Sequence, residues 1–229
     1  MKTNLFLPVC CLSFLIACNS QAQQSSLSVN EFEKGIAKNN IQLLDVRTPG
    51  EYQSGHLGNT LLADWNNEIE FQNRVNTLDK TNPVYTYCLS GARSGAATEW
   101  LNQHGFTAYN LTGGISAWKR ADKPVEQAAL VKQITLDEYL AKIPEDKTVL
   151  VDFSAVWCAP CKKMTPLIDS LVKTNGSEFV LVKVDGGDQT DICKTLQVEG
   201  FPTFIIYKQG KEVWRKEGII ESKEFVTRF

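Results

Sequence analysis

Histidine is scarce in this chain. Among 229 residues it occurs only at His56 and His104, far apart in sequence, and no second C-x-x-C accompanies Cys158 and Cys161. A structural zinc site built on a C-x-x-C needs two further ligands, normally a His pair or another C-x-x-C, and that supply is missing. An excess of either charge is missing too. Residues 19–123 carry 9 basic and 10 acidic groups and residues 128–229 carry 14 and 15, giving a net charge of −2 over the whole chain. Neither half has the basic surplus that nucleic-acid binding requires. The apolar stretch Leu5–Ala17 is too short for a comfortable membrane span. No internal repeat is evident, so the halves must be read separately.

What is present suits two globular units. An apolar fraction of 43% and a charged fraction of 22% over 229 residues give material for two cores. The seven cysteines are not spread as a disulfide framework would be. Cys10, Cys11 and Cys18 belong to the leader, leaving Cys88, the Cys158/Cys161 pair and Cys193. Reactive single sites fit this distribution better than structural staples.

The leader has a charged start at Lys2, the apolar stretch, and then Cys18. It reads as a secretory signal. Leu15-Ile16-Ala17-Cys18 resembles the lipobox of bacterial lipoproteins. The resemblance implies cleavage before Cys18, acylation of that residue, and stable anchoring by several chains. The expected location is the periplasmic side of a bacterial cell envelope. The alternative is an ordinary signal peptide cleaved after Ala22, with Ser20 and Ala22 as its small residues. Residues 19–27 are polar and read as a tether.

In the first unit, Ser28 with Glu31 three residues later opens a helix to about Ala37. Ile41–Val46, Leu61–Trp65 and Pro83–Tyr87 read as strands, with a helix from Ile69 to about Leu78. Alternating strands and helices predict a parallel α/β sheet. Cys88 ends the last of these strands and begins Cys88-Leu89-Ser90-Gly91-Ala92-Arg93-Ser94, with a helix from about Gly95 to Gln103. A cysteine there faces converging N–H groups that stabilise a thiolate, a persulfide or a bound oxyanion. Gly91 and Ser94 line this nest, and Arg93 adds a fixed charge or braces the loop.

Asp45-Val46-Arg47-Thr48-Pro49, Glu51 to Leu57, the cysteine loop, and Gly113-Gly114-Ile115-Ser116-Ala117-Trp118 together resemble a rhodanese domain, in order and along nearly the whole of residues 26–124. The resemblance implies that Cys88 accepts a sulfane sulfur from a small donor and becomes a persulfide, with Arg47 and Glu51 bracing the fold. Four residues separate Cys88 from Arg93, the shorter loop of the sulfurtransferases; the phosphatase relatives have five. Leu89 stands where thiosulfate-using members often carry a basic residue, which disfavours an anionic donor.

The boundary falls near 124–128. In the second unit, residues 128–229, Thr135 with Glu138 opens a helix to about Lys142. Val149–Phe153, Phe179–Val184 and Thr203–Tyr207 read as strands. Val213–Arg215 pairs back across Lys208–Lys211 as a hairpin, Asp191–Leu196 is a helix, and little chain is left for a final one. After Val149–Phe153 a tight turn leads to a helix whose first turn carries both sulfurs, where the N-terminal dipole favours a Cys158 thiolate. Trp157-Cys158-Ala159-Pro160-Cys161-Lys162 after Val151-Asp152-Phe153 resembles a thioredoxin active site.

That resemblance implies a redox disulfide between Cys158 and Cys161, and a buried Asp152 that deprotonates Cys161 during turnover. It implies a cis proline at Pro202 facing the disulfide, with Trp157 and Phe201 beside the substrate. Pro166 should kink the helix. Cys193, beside Ile192 and Leu196, reads as a packed core residue.

The whole is read as α/β: a rhodanese-like parallel-sheet domain followed by a thioredoxin-fold domain, in a rhodanese–thioredoxin fusion lipoprotein. The expected activity is that of an exported, membrane-tethered thiol–disulfide reductase fused to a sulfurtransferase. It would use no cofactor or metal, act on protein disulfides or persulfides, and be recharged by a membrane electron donor. The competing readings are a reductase whose first half only recruits a partner, and a scaffold using both folds for binding.

Overall fold

The computed structural model describes residues 25–127 and 131–229. The leader, with Cys18 and the Ala22 cleavage site, lies outside the described residues, as does the domain start at Ala128.

The first unit contains β1 (Ser26–Leu27), α1 (Val29–Ile36), β2 (Gln42–Asp45), α2 (Pro49–Gln53), β3 (Leu61–Leu62), α3 (Glu68–Val75), β4 (Val84–Tyr87), α4 (Ala92–Gln103), β5 (Ala108–Leu111) and α5 (Gly114–Arg120). Its sheet runs β1-β5-β4-β2-β3, parallel throughout. The period of two sends alternate residues to opposite faces. Leu44, Val84 and Cys88 pack with α3 and α4 residues such as Phe71, Val75, Ala97 and Leu101. Leu43, Tyr85 and Tyr87 pack with Phe32 of α1 and Ile115 and Trp118 of α5. Phe32 is fully buried; truncating such a ring typically costs about 3–5 kcal/mol.

Two parts of the sequence reading are corrected here. Ser26 and Leu27 are not tether: they pair with Asn110 and Leu111 as the sheet's edge strand. The strand expected over Leu61–Trp65 is confined to two residues, after which the chain turns away to start α3. Beyond these, β5 and α5 were not anticipated as elements. The capping box at Ser28/Glu31 forms as expected.

The second unit contains α6 (Leu136–Leu140), β6 (Thr148–Ser154), α7 (Ala159–Asn175), β7 (Phe179–Asp185), α8 (Thr190–Thr195), β8 (Thr203–Lys208), β9 (Lys211–Glu217) and α9 (Ser222–Val226). Its sheet runs β7-β6-β8-β9, parallel between β6 and β7 and antiparallel elsewhere. Val149, Val151 and Phe153 face a core shared with Tyr139 and Ile192, whereas Leu150 faces one shared with Met164 and Ile168 of α7. By the same alternation Asp152 points to the α7 side. The β8–β9 hairpin turns through Gln209 and Gly210, both at positive φ, as a tight reversal requires. α7 runs through Pro166 without ending.

The chain between the units is held to the first. The Trp118 indole donates to the Pro124 carbonyl at 2.9 Å, and Glu126 exchanges both backbone hydrogen bonds with His56, at 2.8 and 2.7 Å.

Candidate active site

Both reactive turns follow the C-terminal end of a central strand. In the second unit β6 leads into a turn that places Cys158 as the N-cap of α7, its sulfur accepting from the Cys161 N–H at 3.1 Å. That N–H belongs to the helix's first turn, so the contact stabilises negative charge on Cys158. Cys158 and Cys161 form a disulfide. Asp152 is buried, and its Oδ1 has no hydrogen-bond partner among the described residues. Burial raises its pKa to about 6, against a small opposing pull from Lys183. An acid with that affinity exchanges protons near neutrality.

The Phe201–Pro202 bond is cis. Its loop is closed by the Thr203 hydroxyl donating to the Gly200 carbonyl at 2.7 Å, and by the Gly218 N–H donating to the Pro202 carbonyl at 2.8 Å. Phe201 lies edge-on to Trp157 with ring centroids 5.8 Å apart. Disulfide, indole and proline loop thus form one cluster, and Asp152 lies on the α7 side of the same sheet. Cys193 belongs instead to the core on the opposite face of the sheet. Burial, with Asp185 nearby, pushes its thiol up to about 11.

In the first unit β4 runs into the Cys88 loop. The Gly91 N–H donates to the Cys88 sulfur at 3.1 Å, and the Ser94 hydroxyl lies 3.4 Å from it. Burial opposes the thiolate here, but the Ser94 side chain and the backbone N–H groups of Ser94, Ser90 and Gly91 outweigh it, and the pKa is lowered. Cys88 is 1% exposed, so the nest holds its sulfur inward.

Gly91 adopts φ 96°, which favours glycine, and its backbone packs against Leu111 and Gly113. Gly114 lies so close that a Cβ would meet the Cys88 and Leu89 carbonyls, which explains glycine there; a Cβ at Gly113 would meet that of Ala117. Arg93 braces the loop. Its guanidinium makes a fork with Glu51 at 2.8 and 2.6 Å, and the pairing holds Glu51 down to about 2. Glu51 also caps α2 at Thr48, and Arg47 is locked to Asp45 and the Gly55 carbonyl.

Three participants were not foreseen. Asn110 accepts the Ser94 hydroxyl at 2.7 Å and donates to the Gly91 carbonyl at 3.3 Å, fixing the nest from β5. A polar residue inside the apolar run Ala108–Leu111 was the available signal. Arg74 and Leu62 carry the join between the two units. The Leu62 N–H donates to the Trp157 carbonyl at 3.1 Å, and Arg74 donates to the Leu62 carbonyl at 2.9 Å while its guanidinium sits 4.5 Å from the centre of the Trp157 ring. Their signal lies in tertiary contact and is not local to the sequence. Leu62 sits level with Asp45 and Asp45 with Tyr87. The edge strand to which the Trp157-Cys158 turn docks is two strand spacings, roughly 10 Å, from the strand that presents Cys88, and the turn lies beyond that edge.

A C-x-x-C disulfide capping a helix over a buried acid, beside a cis-proline loop, defines the site of a thioredoxin-fold thiol–disulfide protein. The family models agree: the one described as Thioredoxin matches residues 129–228, and the one described as Rhodanese-like domain matches residues 28–121. The thioredoxin of Echinococcus granulosus is 36% identical over 94 residues, which are 41% of this chain and 87% of that protein. Chloroplastic thioredoxin Y of Oryza sativa subsp. japonica is 39% identical over 41% of this chain, which spans 55% of that protein's length. A crystal structure of a rhodanese-like domain protein from Staphylococcus aureus aligns at 27% identity and a TM-score of 0.41, over 46% of this chain and 99% of that one. The chain belongs to the thioredoxin family and carries a rhodanese-like domain ahead of its thioredoxin domain.

Proposed function

We propose that the protein is a thiol–disulfide reductase joined to a sulfurtransferase. The observation that carries the reading is the disulfide at the α7 N-terminus, with the buried carboxyl of Asp152, unpaired among the described residues, on the face of β6 turned toward α7. In the reduced form the Cys158 thiolate attacks a substrate disulfide, forming a mixed disulfide and releasing one substrate thiolate. Cys161 gives its proton to Asp152 and attacks the Cys158 sulfur, releasing the second thiolate and closing the Cys158–Cys161 bond. A dithiol donor must then restore the pair. In an oxidising compartment that donor would sit in the membrane.

At the first domain, Cys88 takes a sulfane sulfur from a small donor and holds it as a persulfide. The lowered thiol pKa and the N–H nest support this. The dithiol can discharge it: Cys158 attacks the outer sulfur, Cys88 leaves as thiolate, and Cys161 then displaces hydrosulfide, so two electrons from the dithiol reduce the sulfane sulfur. Export and lipid anchoring through Cys18 are part of the proposal and rest on the Leu15–Cys18 sequence. Metabolic labelling with a fatty acid, lost in Cys18→Ala, tests them.

Equilibration of the Cys158–Cys161 pair against glutathione tests the direction of electron flow. A potential near or below about −270 mV supports a reductase, and one near about −120 mV makes the protein an oxidant instead. One observation favours a second reading, in which the first domain only binds: Cys88 has almost no exposed surface. Unchanged sulfide release from persulfide donors by Cys88→Ser would establish that reading.

A further inference from the structure

The first domain covers the dithiol site. Tyr52 and Leu62 pack into one buried cluster with Ala155, Trp157, Cys158 and Cys161. Cys158 retains 0% of its surface, although it is the sulfur that must meet a substrate. The contact is built rather than incidental. The Leu62 backbone grips the Trp157 carbonyl, and the buried Arg74 fixes the Leu62 carbonyl while lying over the Trp157 ring. Glu70 pairs with Arg74 and holds it in place. On the other side of the turn the Gln53 amide donates to the Gly187 carbonyl at 2.6 Å. A cleft of about 620 Å³ between the domains is lined by Arg74, Pro160 and Phe201 but by neither cysteine, so even this opening stops short of Cys158.

We propose that the rhodanese-like domain is a specificity-determining cap on the thioredoxin dithiol: Tyr52, Leu62 and Arg74 exclude protein disulfides from Cys158 until the domains part. The apparent affinity for a protein substrate is then reduced by the fraction of molecules that are open. Two-domain contacts of this kind separate readily unless large and apolar, and this one joins a small apolar cluster to a few polar anchors. Loosening an anchor raises the open fraction without touching the chemistry. The inference rests on the dithiol reading above.

The test uses the reduced full-length chain and follows alkylation of Cys158 by peptide mapping, with iodoacetamide as the small reagent and a poly(ethylene glycol) maleimide as the bulky one. Wild type should react slowly with the bulky reagent. Gln53→Ala and Arg74→Ala should react about tenfold faster with it, and show a smaller change with iodoacetamide. Arg74 is buried, so its variant counts only if its circular dichroism is native; Gln53, half-buried at the end of α2, decides otherwise. Equal bulky-reagent rates in wild type and variants, whether fast or slow, overturn the cap. Accelerated labelling in the variants, with no disulfide-reducing activity in any of the proteins, leaves the cap standing and removes the reductase reading instead.

Discussion

Cys88 and Cys158 occupy the same station in two unrelated sheets, at the turn after a central strand and before a helix, yet they are built for different chemistry. Cys158 is itself the helix cap, with a second sulfur one turn on and the buried carboxyl of Asp152 on the α7 side of the sheet. Cys88 lies outside its helix, which is capped by Gly91 at positive φ, and among the described residues no thiol partners it. Its neighbours are hydrogen-bond donors: the Gly91 N–H and the Ser94 hydroxyl. One turn is arranged to pass two electrons and close a covalent bond. The other holds a single sulfur among hydrogen-bond donors that favour its thiolate, with no second thiol beside it among the described residues. What separates the two is the surrounding shell; the cysteine is common to both.

The difference is broken most completely by removing one sulfur of the pair. Cys158→Ser should lower disulfide reduction by a factor on the order of 10³ or more, because the attacking atom is gone. Cys161→Ser should still attack but stall, accumulating mixed disulfide visible as a mass adduct. If instead Cys158→Ser retains reductase turnover while Cys88→Ser loses it, the assignment of roles is reversed.

Asp152→Asn should slow turnover by about a hundredfold by removing the proton acceptor for Cys161. The pH–rate inflection near 6 should disappear with it, since burial raises the carboxyl to about that value. The same change should stabilise the fold at neutral pH. A carboxyl whose folded pKa lies above its unfolded value, about 3.9, contributes most below that lower pKa, and the contribution is lost as pH rises through about 6. At pH 7 to 8 the wild type therefore bears a penalty of about 1–3 kcal/mol that Asn does not, measurable by urea denaturation. No stabilisation above pH 6 would show that the acid is solvated after all.

Much of this contrast was legible before folding. Cys158, Cys161, Asp152 and the proline loop occupy fixed positions in short segments, and the spacing from Cys88 to Arg93 marks a small nest. The Ser28/Glu31 and Thr135/Glu138 caps were legible for the same reason, being interactions across three residues. What escaped is non-local. β1 is two residues long and gains its identity only by pairing with β5. Arg93 reads as a fixed charge or a brace, and the partner it braces against is Glu51, 42 positions away. Leu62 and Arg74 give no sign in sequence that they meet Trp157.

A milder change probes the nest by itself. Ser94→Ala removes a hydroxyl that serves both the Cys88 sulfur and Asn110. The Cys88 thiol pKa should rise, because burial then meets less opposition. A hydrogen bond to a charged group is worth about 1.5–3 kcal/mol, so alkylation of Cys88 at pH 7 should fall about tenfold or more. The Cys158–Cys161 potential should stay unchanged. A shift in both sites together would mean that the two shells are coupled.

The smallest effect should come from the remaining thiol of the second domain. Cys193 sits among Ile192, Val198 and Ile205, with its sulfur 3.8 Å from the Gly186 carbonyl. Its thiol lies near 11, so almost none is thiolate at neutrality and it attacks nothing. It also packs on the face of the sheet opposite α7, where it cannot reach the Cys158–Cys161 bond. Cys193→Ala should thus leave turnover and potential unchanged and cost about 1 kcal/mol of stability for the lost packing, read from the shift of a urea midpoint. A changed potential in this variant would make Cys193 a third member of the redox site, and the economy of one pair and one lone sulfur would no longer describe the molecule.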